Sequence, residues 1–124
     1  MGSITKGLVW PVIALLIIGG THLVSELVRP QLAAAFIAPT VMPIHLVAGA
    51  WAAWATRRAG GDIVSGIVAA AILGVLPVAL QYVGFGVILG RPSDEVTTSA
   101  LFGFLTIAWG GVLGSGYVSS RDAT

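Results

Sequence analysis

Apolar residues fill four long runs of the chain, and polar residues collect in the short breaks between them. The runs cover about residues 8–28, 32–55, 63–89 and 98–118. Each is close to or above the roughly 20 residues that an α-helix needs to cross a bilayer. No segment alternates between polar and apolar positions as a membrane strand does. The pattern therefore predicts an all-α integral membrane protein, with four transmembrane helices in a single domain over residues 1–124.

The breaks carry the residues that end helices. Arg29-Pro30-Gln31 separates the first two runs, and Gly, Pro and charged residues fill 57–62 and 90–95. Connections this short hold consecutive helices side by side, so we expect two antiparallel hairpins. The first run lasts about as long as a membrane span and lacks a clear small-x-small cleavage site, so we interpret it as a retained span rather than a signal peptide.

Composition supports a membrane protein and excludes several other classes. Hydrophobic residues make up 56% of the chain and charged residues 9%, with a mean hydropathy of +0.98, whereas soluble domains carry roughly 25% charged residues. The net charge is only +1 and the basic residues are scattered, which argues against a nucleic-acid partner. The chain has no Cys, so disulfides, thiolate metal sites and Cys nucleophiles are excluded. The lipid bilayer is the expected environment, and no metal site is predicted.

The distribution of basic residues predicts the orientation. Four basic residues fall on the side of the two termini and two on the other side, so the positive-inside tendency places both termini in the cytoplasm. The membrane is then expected to be a cytoplasmic (inner) membrane. The first group is Lys6, Arg57, Arg58 and Arg121, and the second is Arg29 and Arg91.

Small residues spaced four apart mark faces where helix backbones can approach each other. Close packing and polar contacts, rather than apolar burial, hold helices together in lipid. Some of these faces serve the chain itself, but their number predicts a homo-oligomer or contacts with other membrane subunits. The glycines concerned are Gly49, Gly66, Gly74, Gly86, Gly90, Gly110 and Gly114.

One face of the first span carries ionisable groups. His22 and Glu26 lie one helical turn apart, and such groups within a span are costly and mark a functional site by default. We expect a polar pocket or transport path completed by neighbouring polar residues, namely Ser25, Thr40, Gln81 and Tyr82. The structural alternative is that Glu26 pairs with Arg29 at the membrane interface, while His22 only joins two helices.

Prolines predict interrupted helices near that pair. Pro39, Pro43 and Pro77 each lie inside an apolar run, and each removes a backbone N–H and frees a carbonyl one turn earlier. Free carbonyls in hydrocarbon need protein or water partners. An interrupted second helix beside His22 and Glu26 therefore predicts a small polar cavity that opens toward the outside.

His45, near the middle of the second span, is the other candidate ligand. His45 or His22 could hold a haem or chlorin-type pigment, although their expected depths differ by roughly 6 Å, which disfavours a shared haem. No paired carboxylates, metal-binding spacing or phosphate loop occurs. No catalytic residues are therefore predicted.

Three functions agree with these features. The favoured one is a non-catalytic subunit or interaction module of a membrane complex or homo-oligomer. The alternative is a small oligomeric transporter or channel whose polar path contains His22 and Glu26. The third is an accessory subunit that binds a cofactor through His22 or His45.

Overall fold

The computed structural model describes residues 2–122, with side chains described for residues 2–117. Within that part of the chain the regular structure is entirely helical. Four helices are long and apolar enough to cross a membrane, which confirms the prediction of four apolar helices and indicates a membrane-embedded protein. They are α1 (Gly2–Val28), α2 (Pro30–Arg58), α3 (Ile63–Ile88) and α4 (Ser93–Asp122).

Helix α2 is irregular in its first part. Pro39 has no N–H to donate, and the Thr40 hydroxyl donates to the carbonyl oxygen of Ile37 at 2.7 Å. Pro43 lies in the first turn of the regular helix that follows, where a backbone N–H has no helical partner to lose. The successive segments are an α-turn at Pro30–Leu32, a π-helix at Ala33–Ile37, a 3-10 turn at Ala38–Thr40 and an α-helix at Val41–Arg58.

Helix α3 changes its winding twice. Pro77 has no N–H to donate to the carbonyl of Leu73, four residues earlier, and the α-helix is interrupted for one residue at Gly74. Its last part is a nine-residue π-helix, Leu80–Ile88, which is longer than the single-turn bulges in which π-geometry is usually found. The regular segments are Ile63–Leu73 and Val75–Ala79.

Glycines bring the backbones of α2 and α4 into direct contact. A Cβ added at Gly49 would collide with the carbonyl oxygen of Ile107. In the same way, Cβ atoms at Gly110 and Gly114 would collide with backbone carbonyl oxygens of α2. Such close approach maximises dispersion contacts, which hold helices together in lipid.

Two further glycines extend this close packing to α1 and α3. Gly7 of α1 lies against Thr56 of α2, and Gly66 of α3 lies against the hydroxyl of Ser115. We call Gly7, Gly49, Gly66, Gly110, Gly114 and the residues they contact the packed region.

The remaining predicted packing glycines face side chains or form a turn. Gly74 faces the ring of Phe104, and Gly86 is in ordinary van der Waals distance of Val96. Gly90 has a φ of +68°, and a Cβ there would meet no atom within 4 Å, so within this chain it serves a turn. Whether any glycine also contacts a second chain stays a prediction.

The connection between α2 and α3 is stabilised by an N-cap. The Oδ1 atom of Asp62 accepts a hydrogen bond from the Ser65 backbone N–H at 2.7 Å, which satisfies one of the free donors at the start of α3. This hydrogen bond favours the carboxylate and lowers the pKa of Asp62. The helix that follows therefore has a defined first residue, Ile63.

Candidate functional site

Glu26 is the centre of a charged cluster at the end of α1. Its Oε2 atom accepts a hydrogen bond from Nη2 of Arg91 at 2.8 Å. Its Oε1 atom lies 3.5 Å from Nε2 of His22, one turn earlier on the same helix. The side chain of Glu26 is only 10% exposed. A carboxylate buried to this extent needs such partners, because burial removes its hydration.

Arg91 bridges two carboxylates from the turn that joins α3 and α4. Its backbone N–H donates to the carbonyl oxygen of Phe85 at 2.9 Å, which fixes the turn after Gly90. Its Nη1 atom donates to Oε1 of Glu95 at 3.2 Å. The side chain of Arg91 is 39% exposed and that of Glu95 is 54% exposed, so this second ion pair is the more solvated of the two.

Glu26 therefore pairs with a different residue from the one that the structural alternative of the sequence analysis named. That alternative paired Glu26 with Arg29, but Arg91 occupies the carboxylate. Arg29 instead lines a separate surface groove together with Ser25 and Phe36. Residues three apart share a face only within a helix. Because α1 ends at Val28 and Arg29 has a non-helical φ of −140°, the Arg29 side chain does not lie over Glu26.

The charged cluster surrounds a small pocket, which we call the charged pocket. Its volume is about 190 Å³. The His22 ring packs against the ring of Phe85, with centroids 5.1 Å apart and a tilt of 58°. The pocket is lined by His22, Glu26, Gln81, Phe85, Arg91 and Glu95, together with Ala38, Val96 and Ser99.

A larger space, which we call the apolar cavity, adjoins the charged pocket. Its volume is about 310 Å³, and His22 and Gln81 line both spaces. Most of its wall is apolar, with contributions from Leu15, Ile44 and Leu76. Polar groups are few and separated, as in typical ligand pockets. They belong to Thr21, His22, Thr40, His45 and Gln81.

The structure brings together some of the predicted site residues and separates others. His22, Glu26 and Gln81 line the charged pocket, whereas Thr40 lines only the apolar cavity. Ser25 lies in the surface groove. Tyr82 is 44% exposed and lines neither space. Its hydroxyl lies 2.9 Å from that of Thr97.

Among the residues of the charged pocket that were not predicted from the sequence are Phe85, Arg91 and Glu95. One signal pointed to Arg91. A carboxylate inside a span requires a cation. Arg91, in the turn after the third span, is one of the two basic residues predicted on the same side of the membrane as Glu26. Glu95 lies four residues after Arg91, but Arg91 precedes the first residue of α4, Ser93, so helical spacing alone does not predict their pairing.

The two candidate cofactor ligands share one cavity. His22 and His45 both line the apolar cavity, and the His45 ring lies beside Gly103 of α4. Among the described residues, no group of three or more His, Cys, Asp or Glu side chains could hold a metal ion. Binding of a haem or chlorin-type pigment through either histidine stays a prediction.

Comparison of the chain with protein-family models, with curated proteins and with solved structures finds no match in any of the three. The chemistry of the charged pocket and of the apolar cavity is therefore the basis for assigning a function.

Proposed function

We propose that the protein is a small membrane transporter that moves a solute through the charged pocket and the apolar cavity. The observation that supports this proposal is that the two spaces share part of their wall. His22 and Gln81 line both of them, so a solute at Glu26 is next to the entrance of the larger cavity. An ionisable group inside a membrane span that faces a cavity is typical of a substrate or ion path.

The contacts of the glycines favour transport over the alternative that the protein is a subunit of a complex, which was the first choice from the sequence. Contacts with other chains were predicted from spare small-residue faces. Gly49, Gly66, Gly110 and Gly114 are in backbone or hydroxyl contact within the chain itself. These four positions therefore no longer require a partner to explain them.

The irregular helices supply walls that can change shape. The 3-10 turn of α2 contributes Thr40 to the apolar cavity, and the π-helix of α3 contributes Leu80 and Gln81. Segments of π-geometry often occur at functional sites, and interrupted helices in membranes are tolerated where they line a cavity. Movement of these two segments is the step that would open the cavity to the opposite side.

We further propose that the helices form two antiparallel hairpins with both termini in the cytoplasm. The end of α1 meets the turn after α3 through Glu26 and Arg91, and the start of α1 meets the end of α2 through Gly7 and Thr56. Both contacts agree with that arrangement. Lys6, Arg57 and Arg58 then lie inside, whereas the side chain of Arg121 is outside the described residues.

Cysteine labelling tests the orientation, because the native chain has no Cys. Ser93 and Ala59 are both exposed and lie in different connections. In intact cells, an impermeant maleimide should label Ser93→Cys and leave Ala59→Cys unlabelled until the cells are broken. The reverse result would overturn the orientation.

The transport proposal is tested by labelling the shared wall of the two spaces. Gln81→Cys should react with an impermeant thiosulfonate reagent in sealed vesicles of either orientation, because a transport path opens to each side in turn. Val83→Cys is the matched control. It lies in the same π-helix but is 59% exposed on the outer surface of the bundle, where lipid excludes the reagent.

Each pattern of labelling decides the proposal. Labelling of Gln81→Cys from both sides, without labelling of Val83→Cys, supports transport. Labelling from one side only would identify a binding site without transport, and equal reactivity of the two variants would show that no defined path exists.

A second candidate is a subunit of a homo-oligomer or of a larger membrane complex. A surface groove lined by Val24, Val28, Leu32 and Phe36 favours it, because this groove is apolar and lies on the outside of the bundle. Native mass measurement in mild detergent distinguishes a single chain from an oligomer or a larger complex. Phe36→Ala should reduce the mass to that of one chain if the groove is an interface.

A further inference from the structure

The charged pocket contains one more carboxylate than guanidinium. Glu26 and Glu95 supply two negative charges, and Arg91 supplies one positive charge. His22 is the remaining ionisable side chain among the described residues that line the pocket. The contributions of α2 and α3 to the wall, which are Ala38, Gln81 and Phe85, carry no charge. Without counting His22, the carboxylates and the guanidinium therefore leave the pocket with one excess negative charge.

We infer that the solute is an organic cation with an apolar body, and this inference rests on the transport function proposed above. Its cationic head would occupy the charged pocket beside Glu26, where it balances the charge. Its body would extend past His22 and Gln81 into the apolar cavity, whose volume of about 310 Å³ suits a small organic molecule. An anion would meet two carboxylates, and a fully polar cation would leave the apolar wall without a partner.

Aromatic rings in the wall of the charged pocket strengthen this assignment. Phe85 is buried and lines the charged pocket beside Glu26. The His22 ring lies against it. The face of an aromatic ring attracts a cation, most strongly where water is excluded.

The two carboxylates of the cluster allow the cation to replace Arg91 at Glu26. Arg91 contacts Glu26 and Glu95 at the same time. When a cation binds Glu26, Arg91 keeps Glu95 as its partner. Neither the guanidinium nor the carboxylate is then left unpaired, so the large cost of an isolated buried charge is avoided. Arg91 therefore competes with the solute for Glu26.

A pair of ligands of equal shape tests the charge requirement. Benzyltrimethylammonium carries the expected head and body, and neopentylbenzene is its uncharged isostere. Calorimetric titration of the full-length protein in lipid nanodiscs should show binding of the cation with an affinity roughly tenfold or more above that of the isostere. Benzenesulfonate, an anion with a similar ring, should not bind. Equal affinities for the cation and the isostere would indicate a site for apolar molecules such as lipid and would overturn the inference.

Variants of the cluster should change cation affinity in opposite directions. Glu26→Gln should lower the affinity roughly tenfold, because the carboxylate is lost. Arg91→Gln should raise it, because the competing guanidinium is removed. The matched control is Asp94→Asn. This variant removes an exposed carboxylate that lies in the same helical turn as Glu95 but outside the pocket, and it should leave the affinity unchanged.

The opposite signs separate binding from folding. Damage to the fold would weaken binding in both the Glu26 and the Arg91 variants, and that result would contradict the competition. If the cation binds as expected but Gln81→Cys is labelled from one side only, the transport proposal fails and the cation site stands. If Gln81→Cys is labelled from both sides and the cation does not bind, the path stands and the ligand class is wrong.

Discussion

The packed region and the site around Glu26 use the same four helices in opposite ways. In the packed region, glycines let backbones touch, and residues that they contact, such as Ala53 and Ile107, have no accessible surface. Around Glu26 the helices are irregular and separated by two cavities. Contacts there are made by charged side chains instead of by the backbone.

This difference shows how a small bundle can be stable and still contain a polar site. Close backbone contact supplies the association energy that lipid does not provide. A cavity beside irregular helices loses part of that energy, because the atoms on its wall lack neighbours. The packed region therefore holds the fold, which leaves α2 and α3 free to deviate from regular geometry around Glu26.

The largest effect is expected from adding a single methyl group to the packed region. Gly49→Ala places a Cβ against the carbonyl oxygen of Ile107, and the backbones must separate. We expect a loss of about 2–3 kcal/mol in the free energy of unfolding, as in overpacked cores. Unfolding in mixed detergent micelles, followed by circular dichroism, measures it.

Gly20→Ala is the matched control in α1. A Cβ there meets no atom within 4 Å, so the variant should be more stable than the native protein by up to about 1 kcal/mol, because alanine favours the helix. If both variants behave alike, the close contact at Gly49 does not hold the fold.

A smaller effect is expected from Glu26, because the charged cluster contributes less to the fold. Glu26→Gln removes an ion pair whose guanidinium keeps Glu95 as a partner. The expected loss is about 1.5–2 kcal/mol by the same unfolding measurement, at the low end of the range for a hydrogen bond to a charged group. Glu95→Gln removes the more exposed pair and should cost less than about 1 kcal/mol. A larger loss from Glu95 than from Glu26 would reverse their assigned roles.

Filling the apolar cavity should change access to the site more than stability. Ile44→Phe adds a ring that the cavity can accept, so the free energy of unfolding should change by less than about 1 kcal/mol. Labelling of Gln81→Cys should become slower in the same variant. Val47→Phe, one turn away on the exposed surface of α2, should leave the labelling rate unchanged. An unchanged rate in Ile44→Phe would separate the cavity from the path.

The smallest effect is expected at the N-cap of α3. The hydrogen bond from Ser65 lowers the pKa of Asp62, so the carboxylate stabilises the folded state above its usual pKa. This contribution is lost as the pH falls through the lowered pKa. Asp62→Asn keeps a capping side chain but should remove this part of the acid dependence of the melting temperature. An identical acid dependence in the variant would contradict the cap.

The sequence predicted the helices better than it predicted their contacts. Four apolar runs separated by Gly, Pro and charged residues were enough to identify four helices, because the length of a span and the residues that end it are local properties. Pro39 also predicted an interruption in α2. The π-helix Leu80–Ile88 was not predicted, since only Pro77, ahead of that segment, indicates a deviation there.

The partners of the charged and small residues could not be predicted from spacing alone. The spacing of Gly110 and Gly114 indicates a face for close packing but does not say whether that face meets α2 or another chain. In the same way, His22 and Glu26 indicated a polar site, whereas the choice of Arg91 over Arg29 depends on how α1 is rotated against α3. Rotation is set by the packing of the whole bundle.

Hydrogen exchange in lipid nanodiscs tests the contrast between the two regions most directly. If the cavities admit water, backbone amides of the π-helix Leu80–Ile88 should exchange within minutes, because irregular hydrogen bonds there open easily. Amides of residues 107–114, in the packed region, should stay protected for hours. Equal protection of the two segments would contradict the account, since the site would then be as closed to water as the part of the molecule that holds the fold.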